Sequence, residues 1–356
     1  MDKIHVGVVY GGRSVEHDIS LLSAKNILQN IDRTKYEVKL LAIDKDGKWY
    51  LCESIEKPIK SGAPLSIILD ASDPYFFDQT SKIRLDVIFP ILHGTDGEDG
   101  SVQGLLQTMN IAYVGSGVLG SAASMDKILA KRVMQSADLP VAAFEAYQHH
   151  EKESISYNHI KEVFGLPFII KPANLGSSVG VSKVTKEEDF SRAIDDAFKY
   201  DDSILIEEFI DGREVECAIL GNINPLASVA GEVVLSDNYD FYSFTAKYED
   251  PDSAQIKIPA DMSKDVHDTI KKISLQAYAL LNCRDLARVD LFVKDDGEVF
   301  INEINTLPGF TNISMYPSLI QYEGIGYTEL ISKLIEMARG RQEESNRITT
   351  NYKSQL

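Results

Sequence analysis

Asp290, Glu303 and Asn305 belong to one largely apolar stretch, DLFVKDDGEVFINEIN, which spans residues 290–305 and reads as a β-hairpin. Asp296-Gly297 is a strong turn signal between two alternating runs. A turn centred there pairs 295 with 298 and, further in, Asp290 with Glu303 and Arg288 with Asn305. Side chains two apart on a strand share a face, so these four cluster on one side of the ribbon. Ala287, Val289, Leu291 and Ile304 take the other side, which can be packed core. Two carboxylates directly opposite each other repel, and such a pair persists when a cation sits between them. Two carboxylates and an amide oxygen make a hard, all-oxygen site suited to Mg²⁺, above all when phosphates complete the octahedron. A solvated outer face accommodates the same residues, and the hairpin alone does not separate the two readings.

Phosphate binding would need lysines and a donor-rich loop elsewhere, and FIIKPANLGSSVGVSKV (168–184) offers both. Lys171 ends a buried strand. Gly176 and Gly180 allow close backbone approach, and Ser177 and Ser178 add hydroxyls to the loop's N–H groups. No GK[ST] opens a helix, so this is not a P-loop, and a flexible hairpin loop has the same composition. In SILIEEFIDGREVE (203–216), Glu207 and Glu208 end an apolar strand whose edge can meet an adenine amino group. Glu214 can accept from ribose hydroxyls. An ordinary strand exit with solvated acids fits the spacing equally well.

Taken in order, Lys127, Lys171, the GSSVG loop, Glu207-Glu208, Glu214, Arg288-x-Asp290 and Glu303-x-Asn305 resemble the ATP-grasp superfamily. More closely, the chain resembles the D-alanine–D-alanine ligases. That resemblance runs from VVYGGRSVEHDIS through LHGTDGEDGSVQGLL, MDK, IIKPANLGSSVGVSKV, AKYED and RVDLF to NEINTLPGFTNISMYP, nearly the whole chain apart from a polar tail. It implies ATP held between a central and a C-terminal domain, with two Mg²⁺ ions, or Mn²⁺ in their place, on Asp290, Glu303 and Asn305. It makes Lys127, Lys171 and Lys247 phosphate contacts, and adds Ser178, Glu207, Glu208, Phe209 and Glu214 to the ATP site. Glu16, which composition alone would read as a first-turn acid complementing a helix dipole, becomes the anchor for the first substrate's ammonium. It would form a triad with Ser177 and Tyr248. His93, Glu98, Ser314 and Met315 match substrate-binding positions; Arg288 and the Gly309 N–H match the groups facing the acyl phosphate and oxyanion. The implied reaction joins two D-alanines through a D-alanyl phosphate, for peptidoglycan precursors, in a cytoplasmic homodimer.

Two alternatives remain at this stage. Ligases making D-alanyl-D-lactate or D-alanyl-D-serine depart near Tyr248 or Ser314, and the apolar Met315 points to D-alanine. A catalytically silent nucleotide-binding relative would be expected to lack part of the Arg288, Asp290, Glu303 and Asn305 set, and none is missing.

These residues must be positioned by alternating strands and helices, giving an α/β fold that is α+β in its ATP-binding part. Strands are expected at IHVGVVY, YEVKLLAI, LDVIFPIL, PFIIKPA, GVSKV, SILIEEF, EVECAIL and SVAGEVVL. One helix is expected over SMDKILAKRVMQSA and another over KEEDFSRAIDDAFKY. The implied division is an open α/β domain over 1–115, a central domain over 116–207, a metal-binding domain over 208–340, and a polar, frayed tail over 341–356. The polar, aromatic loop from about Ser236 to Asp252 reads as a lid carrying Lys247 and Tyr248.

Composition bounds the rest. With 36 basic and 54 acidic residues among 356, the formal charge of -18 disfavours nucleic acid or an anionic membrane as a partner. Cys52, Cys217 and Cys283 are widely spaced and read as reduced thiols. No run approaches the ~18 apolar residues of a membrane span.

Overall fold

The computed structural model describes residues 3–235 and 254–348, so Lys247, Tyr248 and the expected lid lie outside the described residues. Near-continuous apolar runs become the centre of the first sheet. Its strand order is Ala63–Pro64, Trp49–Cys52, Tyr36–Ile43, Ile4–Gly11, Val87–Pro90, Ala112–Tyr113, and the last four are mutually parallel. Buried on both faces, such strands read as apolar throughout rather than alternating. The helix His17–Asn30 packs on one face. A small antiparallel sheet of Ser66–Ile68, Tyr75–Phe77 and Lys82–Ile83 is an addition that the sequence did not signal.

The second sheet is antiparallel and ordered Phe144–Gln148, Ser203–Glu208, Phe168–Pro172, Ser182–Val184. The third is ordered Ala254–Lys257, Leu226–Leu235, Arg213–Leu220, Leu286–Val293, Val299–Asn305. One face of this third sheet carries Val215, Cys217, Val289, Leu291 and Ile304 and packs with the helix Lys264–Leu280, with the Arg213–Glu232 ion pair at its end. The other face carries the charged row read from the hairpin. The fold is therefore α/β followed by α+β, as expected.

The hairpin reaches its register by a different route. Lys294 pairs with Glu298, leaving a three-residue turn over 295–297 closed by Gly297 at φ +87°, so the expected pairing of 295 with 298 does not form. A bulge between Asp290 and Leu291 on one strand and their partners on the other restores the count. Leu291 faces Ile301, Asp290 faces Glu303 and Arg288 faces Asn305. Asn302 is the extra residue.

Two helical expectations need correcting. SMDKILAKRVMQSA is not one helix: its first two residues end the helix Val118–Met125, and a separate helix spans Lys127–Gln135. Asp126 interrupts them with an extended backbone and caps the second, its carboxylate accepting from the Leu129 N–H at 2.9 Å. The polar tail is ordered further than its composition suggested. The helix Tyr327–Asn346 runs past residue 340, with Leu330, Ile331, Leu334, Ile335 and Ala338 buried in the core of the first sheet. Arg341 explains the extension. Its guanidinium grips Asp285 at 3.0 and 2.8 Å and donates to the carbonyls of Tyr113 and Gly115 at 2.7 and 2.9 Å.

Cys52, Cys217 and Cys283 are free thiols, all buried. Among the described residues no helix is long and apolar enough to cross a membrane.

Asp285 ties three parts of the chain together. It is fully buried and also accepts from the Gly115 N–H at 3.0 Å and the Asn222 amide at 2.8 Å. Removing one partner of such a pair strands the other charge, at a cost of about 3–5 kcal/mol. Asp285→Ala should therefore lower the stability measured by urea denaturation by roughly that amount. An unchanged unfolding midpoint would refute this linkage.

Candidate active site

Alternation along the third sheet brings Glu214, Glu216, Arg288, Asp290, Glu303 and Asn305 onto the face opposite the apolar one. Arg288 forks onto Asp290, with Nε and Nη2 donating to the two carboxylate oxygens at 2.7 Å each, and the Asn305 amide donates to Asp290 at 3.0 Å. Glu216 stands 2.8 Å from the Arg288 Nε. Burial works against the Arg288 charge, but Asp290 and Glu216 hold the guanidinium well above its ordinary pKa. Lys127 lies 3.2 Å from Glu303 and donates to the Leu175 carbonyl at 2.8 Å. Two carboxylates and an amide oxygen on one face form a hard-cation donor set, and their charge is balanced here by Arg288 and Lys127. Among the described residues no group of three or more His, Cys, Asp or Glu side chains is arranged to hold an ion, so Asn305 and ligand oxygens would have to complete the shell.

A cavity of about 130 Å³ lies between this face and the second sheet. Lys127, Lys171, Ser177, Ser178, Glu207, Glu208, Phe209, Glu214, Asp290 and Glu303 all line it. Glu207 is almost fully buried between Lys171 at 2.5 Å and Lys131 at 3.0 Å. Burial alone would raise the Glu207 pKa, yet the two ammonium groups bring it below the ordinary carboxylate range. Burial lowers that of Lys131. Glu208 turns away to accept from the Ala143 N–H at 2.7 Å, and the Lys183 ammonium sits 3.9 Å above the Phe209 ring.

The 173–181 loop carries its conformational strain at the serines. Ser177 and Ser178 take left-handed φ values of +54° and +57°, which cost a β-carbon-bearing residue free energy. Gly180, at φ +72°, is a glycine because a β-carbon there would meet Pro172 and Tyr200 at 2.9 Å.

A second cavity of about 490 Å³ adjoins the first and shares Gly176, Ser177 and Glu303 with it. Glu16, His93, Glu98, Arg288, Asn305, Gly309, Ser314 and Met315 line it. Glu16 is buried and accepts the Ser177 hydroxyl on Oε1, while Oε2 has no hydrogen-bond partner among the described residues. Gly94 and Gly176 leave room for that oxygen, since a β-carbon on either would stand 2.7 or 3.2 Å from it.

His93 is buried, which keeps its imidazole below the usual pKa and therefore neutral near pH 7. Its Nδ1 faces the Leu307 carbonyl at 3.1 Å and so carries the proton, leaving Nε2 to accept from the Ser23 hydroxyl at 3.0 Å. Ser23 in turn accepts the Phe310 N–H at 3.3 Å. Ser314 is held by the Thr311 N–H at 3.0 Å and the Thr311 hydroxyl at 2.8 Å. The Met315 side chain is buried, and a β-carbon on Gly231 would meet its sulfur at 2.5 Å.

Apart from Gly180 of the loop, every described residue given a binding or catalytic role in the sequence thus lines one of two joined cavities. Three further residues reach the site without having been singled out. Glu216 follows Glu214 by two and takes the same face, so alternation could have found it. Lys131 follows Lys127 by four on one helix, which also puts them on one side. Asn302 accepts from Lys171 at 3.0 Å, and alternation would have sent it to the opposite face from Glu303. Only the bulge turns it inward, and nothing in the sequence marks that bulge.

Residues 5–116 match the family model described as D-ala D-ala ligase N-terminus, and residues 133–336 match that described as D-ala D-ala ligase C-terminus. The chain belongs to the D-ala D-ala ligase family. It is 46% identical to D-alanine--D-alanine ligase A of Escherichia coli (strain K12), across 98% of this chain and 100% of that one. It is 50% identical to D-alanine--D-alanine ligase of Oceanobacillus iheyensis, across 98% and 99%. Among solved structures, the D-alanine-D-alanine ligase from Coxiella burnetii superposes with a TM-score of 0.87 at 36% identity, covering 98% of this chain and 97% of that one. The VanG D-Ala:D-Ser ligase from Enterococcus faecalis superposes at 0.85 and 32% identity, covering 95% and 100%. These neighbours share the ATP-grasp fold expected for the ligase.

Glu98 gives this ligase-family site a testable pH signature. Burial and the neighbouring Glu16 push its carboxyl up to about 8, overriding the N–H groups of Gly94 at 2.8 Å and Leu307 at 3.2 Å that favour the anion. A raised folded-state pKa adds stability that is full below the unfolded carboxyl's pKa and lost as pH rises through about 8. Thermal unfolding should therefore drop in midpoint across that window. Glu98→Gln should flatten the drop even from a lower starting point, and a slope unchanged by the substitution would contradict the assignment.

Proposed function

We propose that the chain is an ATP-dependent ligase that joins two D-alanines into D-alanyl-D-alanine, serving peptidoglycan precursor synthesis. The observation that carries this reading is the meeting of two cavities at Glu303 and Ser177, one lined by lysines and carboxylates, the other containing a buried carboxylate oxygen with no hydrogen-bond partner among the described residues. The first suits a nucleotide and the second an amino acid, whose ammonium would complete the Glu16 Oε2.

In this reading Lys127 and Lys171 hold phosphates, Ser178 adds a donor, and Glu207, Glu208, Phe209 and Glu214 surround adenine and ribose. Asp290, Glu303 and Asn305 would hold two Mg²⁺ ions, or Mn²⁺, which when bound neutralise phosphate charge. The first D-alanine's carboxylate oxygen attacks the γ-phosphorus of ATP and ADP departs, leaving D-alanyl phosphate. The amine of the second D-alanine then attacks the acyl carbon, loses a proton, and phosphate leaves. Both reactants of the first step are anions, so catalysis is positioning plus charge neutralisation. Arg288 faces the acyl-phosphate oxygens, and the Gly309 N–H faces the developing oxyanion. His93 and Glu98 position Glu16 and the 307–310 segment. Ser314 and Met315 bound the second substrate. The same family likeness supports a cytoplasmic homodimer, and Lys247 and Tyr248 complete the proposal as phosphate and substrate contacts.

The test is phosphate release from Mg²⁺ and ATP with D-alanine as sole amino acid, with products identified by mass. D-Alanyl-D-alanine formed near neutral pH supports the reading. Because one structural neighbour is a D-Ala:D-Ser ligase, D-serine and D-lactate should be added separately, and release that requires either would reassign the second substrate. Glu303→Gln should reduce turnover by at least ~10²-fold, the scale of losing one charge-stabilising group, and wild-type kinetics in that variant would sink the proposed metal face.

A further inference from the structure

Arg288 stands between two carboxylates, and only one of them belongs to the proposed metal set. Its Nε hydrogen is directed at Asp290 Oδ1 at 2.7 Å, and its Nη2 donates to Oδ2 at the same distance. The Asn305 amide donates to Oδ2 as well, at 3.0 Å. Both Asp290 oxygens are therefore committed to cationic or amide donors. Glu216 Oε2 lies 2.8 Å from the same Arg288 Nε. The register explains this closeness, since Glu216 faces Asp290 and Ala218 faces Arg288 across adjacent strands, placing Glu216 diagonal to the guanidinium on one sheet face.

The two carboxylates border different spaces. Asp290 lines the smaller cavity, whereas Glu216 and Arg288 line the larger one. A divalent ion on Asp290 would compete with the Arg288 fork for the same lone pairs. A buried guanidinium released from Asp290 would be left uncompensated unless another acceptor were already in place. Glu216, itself buried, is that acceptor.

We propose that Glu216 is a positioning residue that takes over Arg288 when Asp290 turns to a divalent ion, keeping the guanidinium on the side of the larger cavity. This inference rests on the metal-binding part of the reading above, but not on D-alanine as substrate. Glu216 would thus permit ion binding and hold Arg288 in place for the chemistry at the same time.

The experiment is a Mn²⁺ titration in the presence of ADP, followed by electron paramagnetic resonance on the full chain without D-alanine. Glu216→Gln should weaken Mn²⁺ binding roughly tenfold, the size of coupling expected between contacting charged groups. The same substitution in an Arg288→Met background should change binding by less than about threefold, since no guanidinium remains to be handed over. Glu216→Asp, which keeps the charge but withdraws it from Arg288, should behave like Glu216→Gln and carries the test should the glutamine variant not fold. Equal losses with and without Arg288, or wild-type binding in Glu216→Asp, would mean that Glu216 acts only through its charge and would overturn the proposal. So would a wild-type chain that binds no Mn²⁺ with ADP. A chain that binds Mn²⁺ with ADP, shows the coupling and does not ligate D-alanine would leave this inference standing and remove the ligase reading alone.

Discussion

Charge that is buried must be compensated, and this constraint organises the cleft. The third sheet presents a largely apolar face to the helix Lys264–Leu280 and a charged face to the cavities. Among the described residues, no charged side chain on that second face is left to itself. Arg288 is shared between Asp290 and Glu216, Lys127 meets Glu303, and Glu207 lies between Lys131 and Lys171. Such pairs add little net stability, because desolvation consumes most of the Coulombic gain. Their value lies in geometry. A lysine that would otherwise sample many rotamers is held at one point, and a carboxylate that would otherwise take up a proton stays ionised.

The same constraint connects the site to the fold. Glu16 comes from the entry to the helix His17–Asn30, His93 and Glu98 from the loop after Val87–Pro90, and Ser314 from the segment before Met315–Tyr322. These segments are far apart in sequence. They are locked by Ser23, His93, Glu98 and Leu307 in a short hydrogen-bonded chain. Asp285 and Arg341 do the same work further out, joining the end of the last helix to the edge of the first sheet. Groups lining the larger cavity are thereby fixed by backbone contacts rather than by side-chain packing alone.

Much of this was legible before any coordinates. The strand Tyr36–Ile43 has the bounds of the run YEVKLLAI, and the expected pairing of Asp290 with Glu303 is the observed one, although turn and bulge reach it by another route. Period-two and period-3.6 patterns report which face a residue takes, and faces are what a site consists of. They fail where the backbone leaves its period. The break at Asp126 looks like one continuous helix because capping by a single aspartate does not disturb the apolar spacing. The ordered helix beyond residue 340 is invisible because its anchor, Arg341, is an ordinary surface residue until Asp285 is placed beside it.

The hairpin shows why a correct pairing can rest on an incomplete account. A three-residue turn shifts the register by one, and the bulge at Asn302 shifts it back. Either irregularity alone would have turned Glu303 and Asn305 toward the apolar face, where a carboxylate without a partner costs several kcal/mol on an order-of-magnitude scale. The pair of irregularities is therefore constrained as a unit by the charges it delivers. It also yields a residue that a regular hairpin could not. With Asn302 pushed out of alternation, two consecutive residues face the same cavity, and the Asn302 side-chain amide oxygen accepts from the Lys171 ammonium beside Glu207. The bulge thus binds the second sheet to the third at the point where the two walls of the cleft come together.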